Sequence, residues 1–391
     1  MKRRKILVLF TLILLCSLQL HAQITVSGIL ESTVSLRAGA GEAPAFSYGV
    51  EEYANLRLQA RIRDRAVFYG AFNFLAAAGD NARLLAAMGF NPIGENFIAG
   101  MELERLYFRM NWETASLDCG LFRLPFGYGR IWGPVDFLNP KNPLKPDARP
   151  RAILGGAVSW YPVDSIKLIG FGAAPRDPFS RQGSGGLSGL SLDWHWGAGG
   201  LGGPTGSIQA LYSFESPQSG SNKGLHRAGV SVKADWEIAL VIDALYTYNH
   251  EEKTGIEGLS FSAGADYSFF DGKLLLIAEY LYNGSASATS LRGGGSFSNT
   301  NYLYSGITWL ISDLTNITAA LISGFDDVSF TPLISLSHDL FQGAALSFSV
   351  QVPLDRDLFS GDGSRGELGP LPPGLAEGSY CNCSIKLRLR F

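Results

Sequence analysis

In LSFSAGADYSF, residues 259–269, the side chains change between apolar and polar at every second position. The odd-numbered residues, from Leu259 to Phe269, are apolar or aromatic, whereas the even-numbered ones are Ser, Gly or Asp. Successive side chains of a β-strand point to opposite faces, so this period of two predicts a strand with one dry and one wet face. A helix would repeat its apolar positions every three or four residues instead.

The same alternation returns along most of the chain, for example at residues 54–63 and 228–236. It predicts a single all-β domain of about 18 strands, within a range of roughly 16–18. Tight turns, such as residues 64–65, alternate with long connections. The long connections are residues 76–101, 125–150, 174–186, 284–299 and 353–378. Short turns at one end and long loops at the other are typical of an antiparallel β-barrel that spans an outer membrane.

The N-terminus has the features of a secretory signal. Four cations at residues 2–5 precede an apolar run over residues 6–18, and Ala22 is a small residue suited to cleavage. This pattern predicts a signal peptide over residues 1–22 and an exported domain over residues 23–391. Lipoprotein processing at Cys16 is the alternative, although Leu15 before it is bulky. Cleavage of the signal peptide removes four cations, so 28 basic and 35 acidic residues remain in the exported chain. Its net charge of −7 gives no indication of a nucleic-acid partner.

Closure of the sheet follows from the solvent in which such strands lie. After the signal, no apolar run reaches the roughly 20 residues that a membrane helix needs. Hydrocarbon cannot satisfy an unpaired backbone N–H or C=O, so a sheet in a bilayer must close on itself. The dry face then contacts lipid and the wet face lines the lumen. A soluble β-sandwich, β-propeller or lectin-like fold also alternates, but its strands usually run shorter.

The last strand carries a resemblance. In YCNCSIKLRLRF, residues 380–391, apolar residues alternate with cations and the chain ends on Phe391. This resembles the C-terminal signal of Gram-negative outer-membrane barrels, although the aromatic residue usual three positions inside the end is absent. The resemblance implies an outer-membrane location, recognition of Phe391 by the barrel-assembly machinery, and contact with outer-membrane lipid. Homo-trimers are common among such channels, so a homo-trimer is the oligomeric state that the resemblance implies.

A second resemblance lies at GLFRLPFGYGRIWGPVDFLNPKNP, residues 120–143. It is similar to the strand-to-loop segment of several porin-like families. Within the connection 125–150, a proline-stiffened loop of this length is expected to fold inward and narrow the pore. Its charged residues are Arg130, Asp136, Lys141, Lys145, Asp147 and Arg149. The connection 76–100, with a short helix near residues 82–90, is the alternative element that could narrow the pore.

The wet faces predict two charged walls in the lumen. The basic wall comprises Arg57, Arg61, Arg63, Arg105, Arg109, Lys386, Arg388 and Arg390, because closure places the last strand beside the first. The acidic wall, about halfway round, comprises Asp193, Asp235, Asp243, Asp266 and Glu279. Opposed walls of this kind would create a transverse field that favours polar solutes over apolar ones.

These patterns predict a porin-like channel for the passive diffusion of small hydrophilic solutes. The isolated His residues form no recognisable nucleophile motif, so we expect no enzyme, no cofactor and no metal site. A transporter of hydrophobic compounds is one alternative, supported by Ile153, Ile169, Phe171 and Leu211 on the inner face. A plugged barrel that acts as an adhesin or structural protein is the other. Cys381 and Cys383 share one face of their strand, where the simplest interpretation is two lipid-facing side chains.

Overall fold

The computed structural model describes residues 22–391 with gaps. The gaps are residues 40–45, 64, 88–92, 94–95, 141–149, 175–184, 198–203, 218–223, 250–254, 285–289, 292–294, 297–298, 327 and 355–379. Residues 1–21 of the predicted signal peptide lie outside the described residues, and so do Lys141, Lys145, Asp147 and Arg149. Among the described residues, no helix has the length and apolar composition needed to cross a membrane.

Eighteen antiparallel strands form one sheet, which confirms the predicted strand number and fold class. We number these barrel strands in chain order. They are β1 Ala22–Gly39, β2 Phe46–Ile62, β3 Ala66–Gly79, β4 Phe97–Asn111, β5 Ala115–Phe122, β6 Ile153–Val163, β7 Ile166–Ala173, β8 Leu187–Gly197, β9 Thr205–Glu215, β10 Leu225–Asp235, β11 Ala239–Asn249, β12 Leu259–Phe269, β13 Leu274–Asn283, β14 Asn301–Ser312, β15 Thr315–Gly324, β16 Ser329–Phe341, β17 Ala344–Gln351 and β18 Tyr380–Arg390. Besides the barrel strands, the described residues form a helix, α1 Asp80–Ala87, a short 3₁₀ turn at Ile256–Gly258, and a two-residue pairing of Ser290–Leu291 with Gly295–Ser296.

The barrel closes between its first and last strands. Strands β1 and β18 pair antiparallel from Ile29 opposite Arg390 to Gly39 opposite Tyr380. Below this ladder, Gly28 N–H donates to the Phe391 carbonyl at 2.8 Å, and Phe391 N–H donates back to the Gly28 carbonyl at 3.1 Å. The terminal strand is therefore hydrogen-bonded on both edges, by β17 and by β1, which leaves no open edge there.

Gly28 makes the closure possible, and we predict that a side chain there weakens it. A Cβ at this position would overlap the Phe391 ring and lie 2.9 Å from the Asn55 carbonyl oxygen. We expect Gly28→Val to destabilise the folded barrel by about 1–3 kcal/mol, because the ring must move. Urea unfolding of the refolded protein measures this. Gly70→Ala is the matched control, because its Cβ would meet only side-chain atoms at 3.7 Å; equal midpoints for the two variants would contradict the prediction.

The two faces of the barrel are distinguished by their exposure. On β11, Leu240 and Ile242 are 47% and 44% exposed, whereas Val241 and Asp243 between them are 4% and 0% exposed. The exposed, apolar set recurs on every strand and forms the outer face. The other set points into the barrel. Because Val241 and Asp243 of this set are buried, another part of the chain must cover the inner face of β11.

Two predicted boundaries near β3 and β4 were wrong. Strand β3 continues to Gly79 and β4 starts at Phe97, so the connection is shorter than residues 76–101. The inner side chains there, Ala77 and Ile98, pack against Ala82 of helix α1, so both faces are apolar and the period of two disappears. Strand β2 ends at Ile62, which places Arg63 in the following turn with a positive φ of 49° rather than on the wall.

Candidate functional site

The covering element is the connection from β5 to β6. We call its described part, residues 123–140, the inner loop. It contacts inner side chains from β4 through β15. Because β5 and β14 are nine strands apart in a ring of eighteen, the inner loop extends across the lumen to the opposite wall.

Backbone N–H groups of six consecutive residues attach the inner loop to that wall. Every acceptor is an inner side chain of β9, β10, β11 or β13. The bonds are Gly127 N–H to Gln209 Oε1 at 2.5 Å, Tyr128 to Ser231 Oγ at 2.9 Å, Gly129 to Asp243 Oδ2 at 3.1 Å, Arg130 and Ile131 to Glu279 Oε2 at 3.1 and 3.0 Å, and Trp132 to Glu279 Oε1 at 2.9 Å. An ionised carboxylate only accepts hydrogen bonds, so it suits a row of N–H donors.

Glu279 is the main anchor of the inner loop. Its side chain is 2% exposed and accepts three backbone N–H bonds, while its carbonyl oxygen accepts the Trp132 indole N–H at 3.1 Å. The indole packs against Tyr302 with ring centroids 5.5 Å apart, and Leu281 and Ile322 complete this cluster. Leaving one such buried N–H unpaired costs about 1–3 kcal/mol, so loss of the carboxylate would leave the tip of the loop without its main support.

Asp243 is the second anchor. It is fully buried, accepts Gly129 N–H, and also accepts the Ser231 hydroxyl. Gly127 approaches it closely: a Cβ there would lie 2.6 Å from the Asp243 carboxylate, and the residue has a φ of +76°. A glycine is therefore required by both the contact and the backbone conformation at this position.

The inner loop also covers the apolar inner patch. Phe126 packs on Phe171 with ring centroids 5.1 Å apart, and Val135 and Leu138 belong to the same buried cluster. Ile169, Phe171 and Leu211 are 3–6% exposed, and Ile153 packs against them. The apolar residues that supported a hydrophobic-compound transporter thus pack against the inner loop. They present little apolar surface to the lumen.

Near its start, the inner loop is held by Glu104, an acid that strict alternation with its inward neighbour Arg105 would place on the outer face. The Arg123 guanidinium forms an ion pair with Glu104 Oε1 at 2.7 Å, and Asn55 donates to Glu104 Oε2 at 2.6 Å. A bulge in β4 makes this possible: Ala71 pairs with Arg105 and Phe72 with Leu103, which leaves Glu104 as the extra residue. The bulge lets Glu104 and Arg105 both point inward, which strict alternation forbids.

The five predicted wall acids all lie on inner positions, but the loop changes their surroundings. Asp243 and Glu279 are covered by the inner loop, so they do not face lumen water as the acidic wall required. Asp266 forms an ion pair with Arg130 of the loop at 2.7 Å, and Asp235 pairs with Lys233 at 2.7 Å. Asp193 accepts Gln209 Nε2 at 2.5 Å and thereby orients the amide that receives Gly127. Asp136 caps the loop internally by accepting Phe126 and Asn139 N–H.

The predicted basic residues lie on the other side of the barrel, and several have acidic partners. Arg109 forms a two-bond pair with Asp118 at 2.6 and 3.0 Å. Arg388 pairs with Glu31 of β1 at 2.6 Å, across the closure seam. Arg105 lies 3.5 Å from Glu104 and donates to Tyr69 Oη at 2.9 Å, with its guanidinium 4.6 Å from the ring centroid.

Three of the remaining wall cations, Arg57, Arg61 and Arg390, have no acidic partner in the described part of the chain. Arg57 donates to Asn55 Oδ1 at 2.7 Å, and Arg61 and Arg390 are exposed. Lys386, half-buried, lies opposite Ser347 of β17 and Thr33 of β1. The pairing of β2, β3 and β4 places four arginines in two rows across the strands. Arg57 and Arg105 lie on either side of Ala71, and Arg61 and Arg109 lie on either side of Val67.

Helix α1 covers the inner faces of β1 to β4 near their long-loop ends. Arg37 of β1 donates to Asn81 Oδ1 at 2.7 Å and lies 3.8 Å from Asp80. This helix corresponds to the alternative element that could narrow the pore, but it starts at Asp80 rather than near residue 82. It leaves the lower parts of these strands, with Arg57 and Arg61, uncovered.

One strip of the inner face is therefore not covered by the inner loop. It runs over β16, β17, β18, β1, β2 and β3. Its side chains on β16 and β17 include Ser335, Ser337, Ser347 and Ser349, and the cations of β18 and β2 lie beside them. Glu31, Glu51 and Asp339 are also on inner positions of this strip, and the five cations of β2 and β18 exceed them in number.

Comparisons with family models and with curated proteins give no match to this sequence. The structure is similar to solved bacterial proteins. With OccAB4 from Acinetobacter baumannii the TM-score is 0.58 at 10% identity, over 94% of this chain and 98% of that chain. With OccK9 (OpdG) from Pseudomonas aeruginosa it is 0.57 at 11% identity, over 94% and 99%. With the outer membrane protein opdK from the same species it is 0.52 at 8% identity, over 94% and 98%. The chain thus has the fold of a porin-like outer-membrane β-barrel.

Proposed function

We propose that this protein is an outer-membrane channel for the passive diffusion of small hydrophilic solutes, with a preference for anions. The observation that carries the proposal is the coverage of the inner face. Among the described residues, the inner loop covers the apolar patch, Asp243 and Glu279, whereas it leaves uncovered a polar strip on which cations exceed acids. An aqueous lumen is expected at this strand number.

The inner loop acts as the constriction in this proposal. Solutes pass between the loop and the strip of β16 to β3, where serine hydroxyls replace part of their hydration and the arginines and Lys386 raise the local anion concentration. The path involves no covalent step. The expected partners are outer-membrane lipid, the barrel-assembly machinery acting on the strand that ends in Phe391, and the solutes themselves. A homo-trimer also belongs to the proposal.

Conductance of the purified protein in a planar lipid bilayer tests the proposal. We expect ohmic single-channel steps in KCl, and swelling of protein-containing liposomes in small sugars and small carboxylates but not in large oligosaccharides. Silence in the bilayer would contradict the proposal and favour a plugged barrel. Transport of an alkane without ionic conductance would favour the hydrophobic-compound transporter.

A further inference from the structure

The outer face of the barrel carries a single formally charged side chain along its described strands. Along the eighteen described strands, every outward position is apolar, aromatic, small, His, Asn, Ser or Thr, except for Glu52 on β2. Ionisable side chains within a membrane-spanning surface are rare and usually mark function. Glu52 therefore needs an explanation that packing alone does not supply.

Glu52 lies within the apolar band. Tyr48 and Val50 precede it on the outer face of β2, and Ala54 and Leu56 follow it. With about 3.3 Å per residue and a tilt of about 40°, the four residues from Tyr48 place Glu52 roughly 10 Å deeper along the membrane normal. The side chain is exposed, and its one hydrogen-bond partner among the described residues is Ser32, whose hydroxyl donates to Glu52 Oε1 at 2.6 Å.

A groove surrounds this pair. It has a volume of about 520 Å³ and is lined by Leu30, Ala54, Phe74, Ala99 and Leu387 together with Ser32 and Glu52. The small side chains of Ala54 and Ala99 leave room for the groove. Leu30 and Phe74 lie on the side of Glu52 that faces the bilayer centre. A second outer groove of about 720 Å³, over β12 to β16, is lined on the outer face by residues such as Ala265, Ile307 and Ile334, none of them charged. Acyl chains suffice to fill the second groove, but they cannot satisfy a carboxylate in the first.

A second copy of this chain does not supply a positively charged partner for the Glu52 carboxylate. Its outer strand positions carry no Lys or Arg, and its outward His residues, His226 and His338, lie near the strand ends rather than at the depth of Glu52. The counterpart needs a positive charge, N–H donors and an apolar part that lies along the groove. These are the properties of an amphiphile with an amino group.

We propose that the groove between β18 and β4 binds the ammonium group of a membrane amphiphile. The ammonium donates to the Glu52 carboxylate and to the Ser32 hydroxyl oxygen, and the hydrocarbon part lies against Leu30, Ala54 and Phe74. Such a bond is charge-assisted and forms where water does not compete, so it is stronger than the same pair in solution. The amine can come from a free alkylamine or from the headgroup of an aminophospholipid.

Native mass spectrometry of the folded barrel in a non-ionic detergent tests this site. The probes are dodecylamine, dodecanol, phosphatidylethanolamine and phosphatidylglycerol of matched chain length. We expect one saturable dodecylamine or phosphatidylethanolamine adduct, weakened about tenfold or more in Glu52→Gln and less strongly in Ser32→Ala. The alcohol and the glycerol lipid should not saturate. Saturation by dodecylamine alone assigns the site to free amines, and saturation by phosphatidylethanolamine assigns it to the lipid.

Glu102→Gln is the matched control because it removes the same charge from the inner face of β4, beside Asn73. Unheated gel migration checks that each variant is folded, and Glu52→Gln removes a charge from the lipid-facing surface, so it should fold. Equal amine binding by Glu52→Gln and the unchanged protein would overturn the proposal. Absence of saturable binding by both amines would overturn it as well, and neither result bears on the channel.

Discussion

Replacing Glu279 by alanine is expected to raise the single-channel conductance by about a factor of two or more, because ion flow follows the open cross-section of the lumen. The variant removes the acceptor of three backbone N–H groups at residues 130–132. Without it, the tip of the inner loop loses its attachment to β13 and the loop samples positions away from the wall. Bilayer recordings should show larger steps and more current noise than the unchanged protein.

Asp266→Asn is the matched control for this experiment. It also removes an inner carboxylate that contacts the loop, but among the described residues Asp266 pairs with the Arg130 side chain alone, and that side chain is itself partly exposed. The backbone attachment stays intact, so the conductance should change little. An unchanged conductance in folded Glu279→Ala would contradict the assignment of Glu279 as the anchor of the constriction.

Neutralising the uncovered cations should abolish most of the anion preference. We expect Arg57→Ala with Arg61→Ala to lower the chloride-to-potassium permeability ratio by about two- to fivefold, since each lumen charge contributes about 1 kcal/mol or less in water. The zero-current potential in a KCl gradient measures this ratio. The effect should weaken at high salt, because ions screen the wall within about 10 Å at 0.1 M.

Glu52→Gln is the control for selectivity, because it changes a charge that lies on the outer face, outside the lumen. Its zero-current potential should equal that of the unchanged protein. If the Arg57 and Arg61 variant also shows no change, the strip of β16 to β3 is not the path of the ions.

Much of the fold could be predicted from the sequence because hydrocarbon allows few solutions. The alternation around Phe261 and the terminal strand before Phe391 predict eighteen closed strands, and the structure has them. The alternation fails where both faces are apolar, as at Ala77 beside helix α1. It also fails at the β4 bulge, where one extra residue turns Glu104 inward and no local signal marks it.

The candidate site was harder to predict, because its residues meet only after the chain closes. Parity placed Glu279 and Asp243 on the inner face, but it could not distinguish an acid in water from an acid that accepts backbone N–H bonds. A signal was present: the inner neighbours of Glu279 on β13 are Ile277 and Leu281, which are unsuited to an open lumen. No such signal distinguishes Gln209 and Ser231, because polar side chains suit a water-exposed wall as well as they suit contact with the loop.

Thiol accessibility tests whether solutes pass between the inner loop and the strip of β16 to β3. Cys119, Cys381 and Cys383 are free, and the last two lie on the lipid-facing side with their sulfur atoms 3.7 Å apart, so all three are first replaced by Ala. Arg57→Cys is then placed on the strip, and Leu281→Cys beneath Trp132. A membrane-impermeant sulfonated thiol reagent should reduce the Arg57→Cys current in discrete steps and leave Leu281→Cys unmodified. Modification of Leu281→Cys at the same rate, or an unreactive Arg57→Cys in a conducting channel, would contradict this solute path.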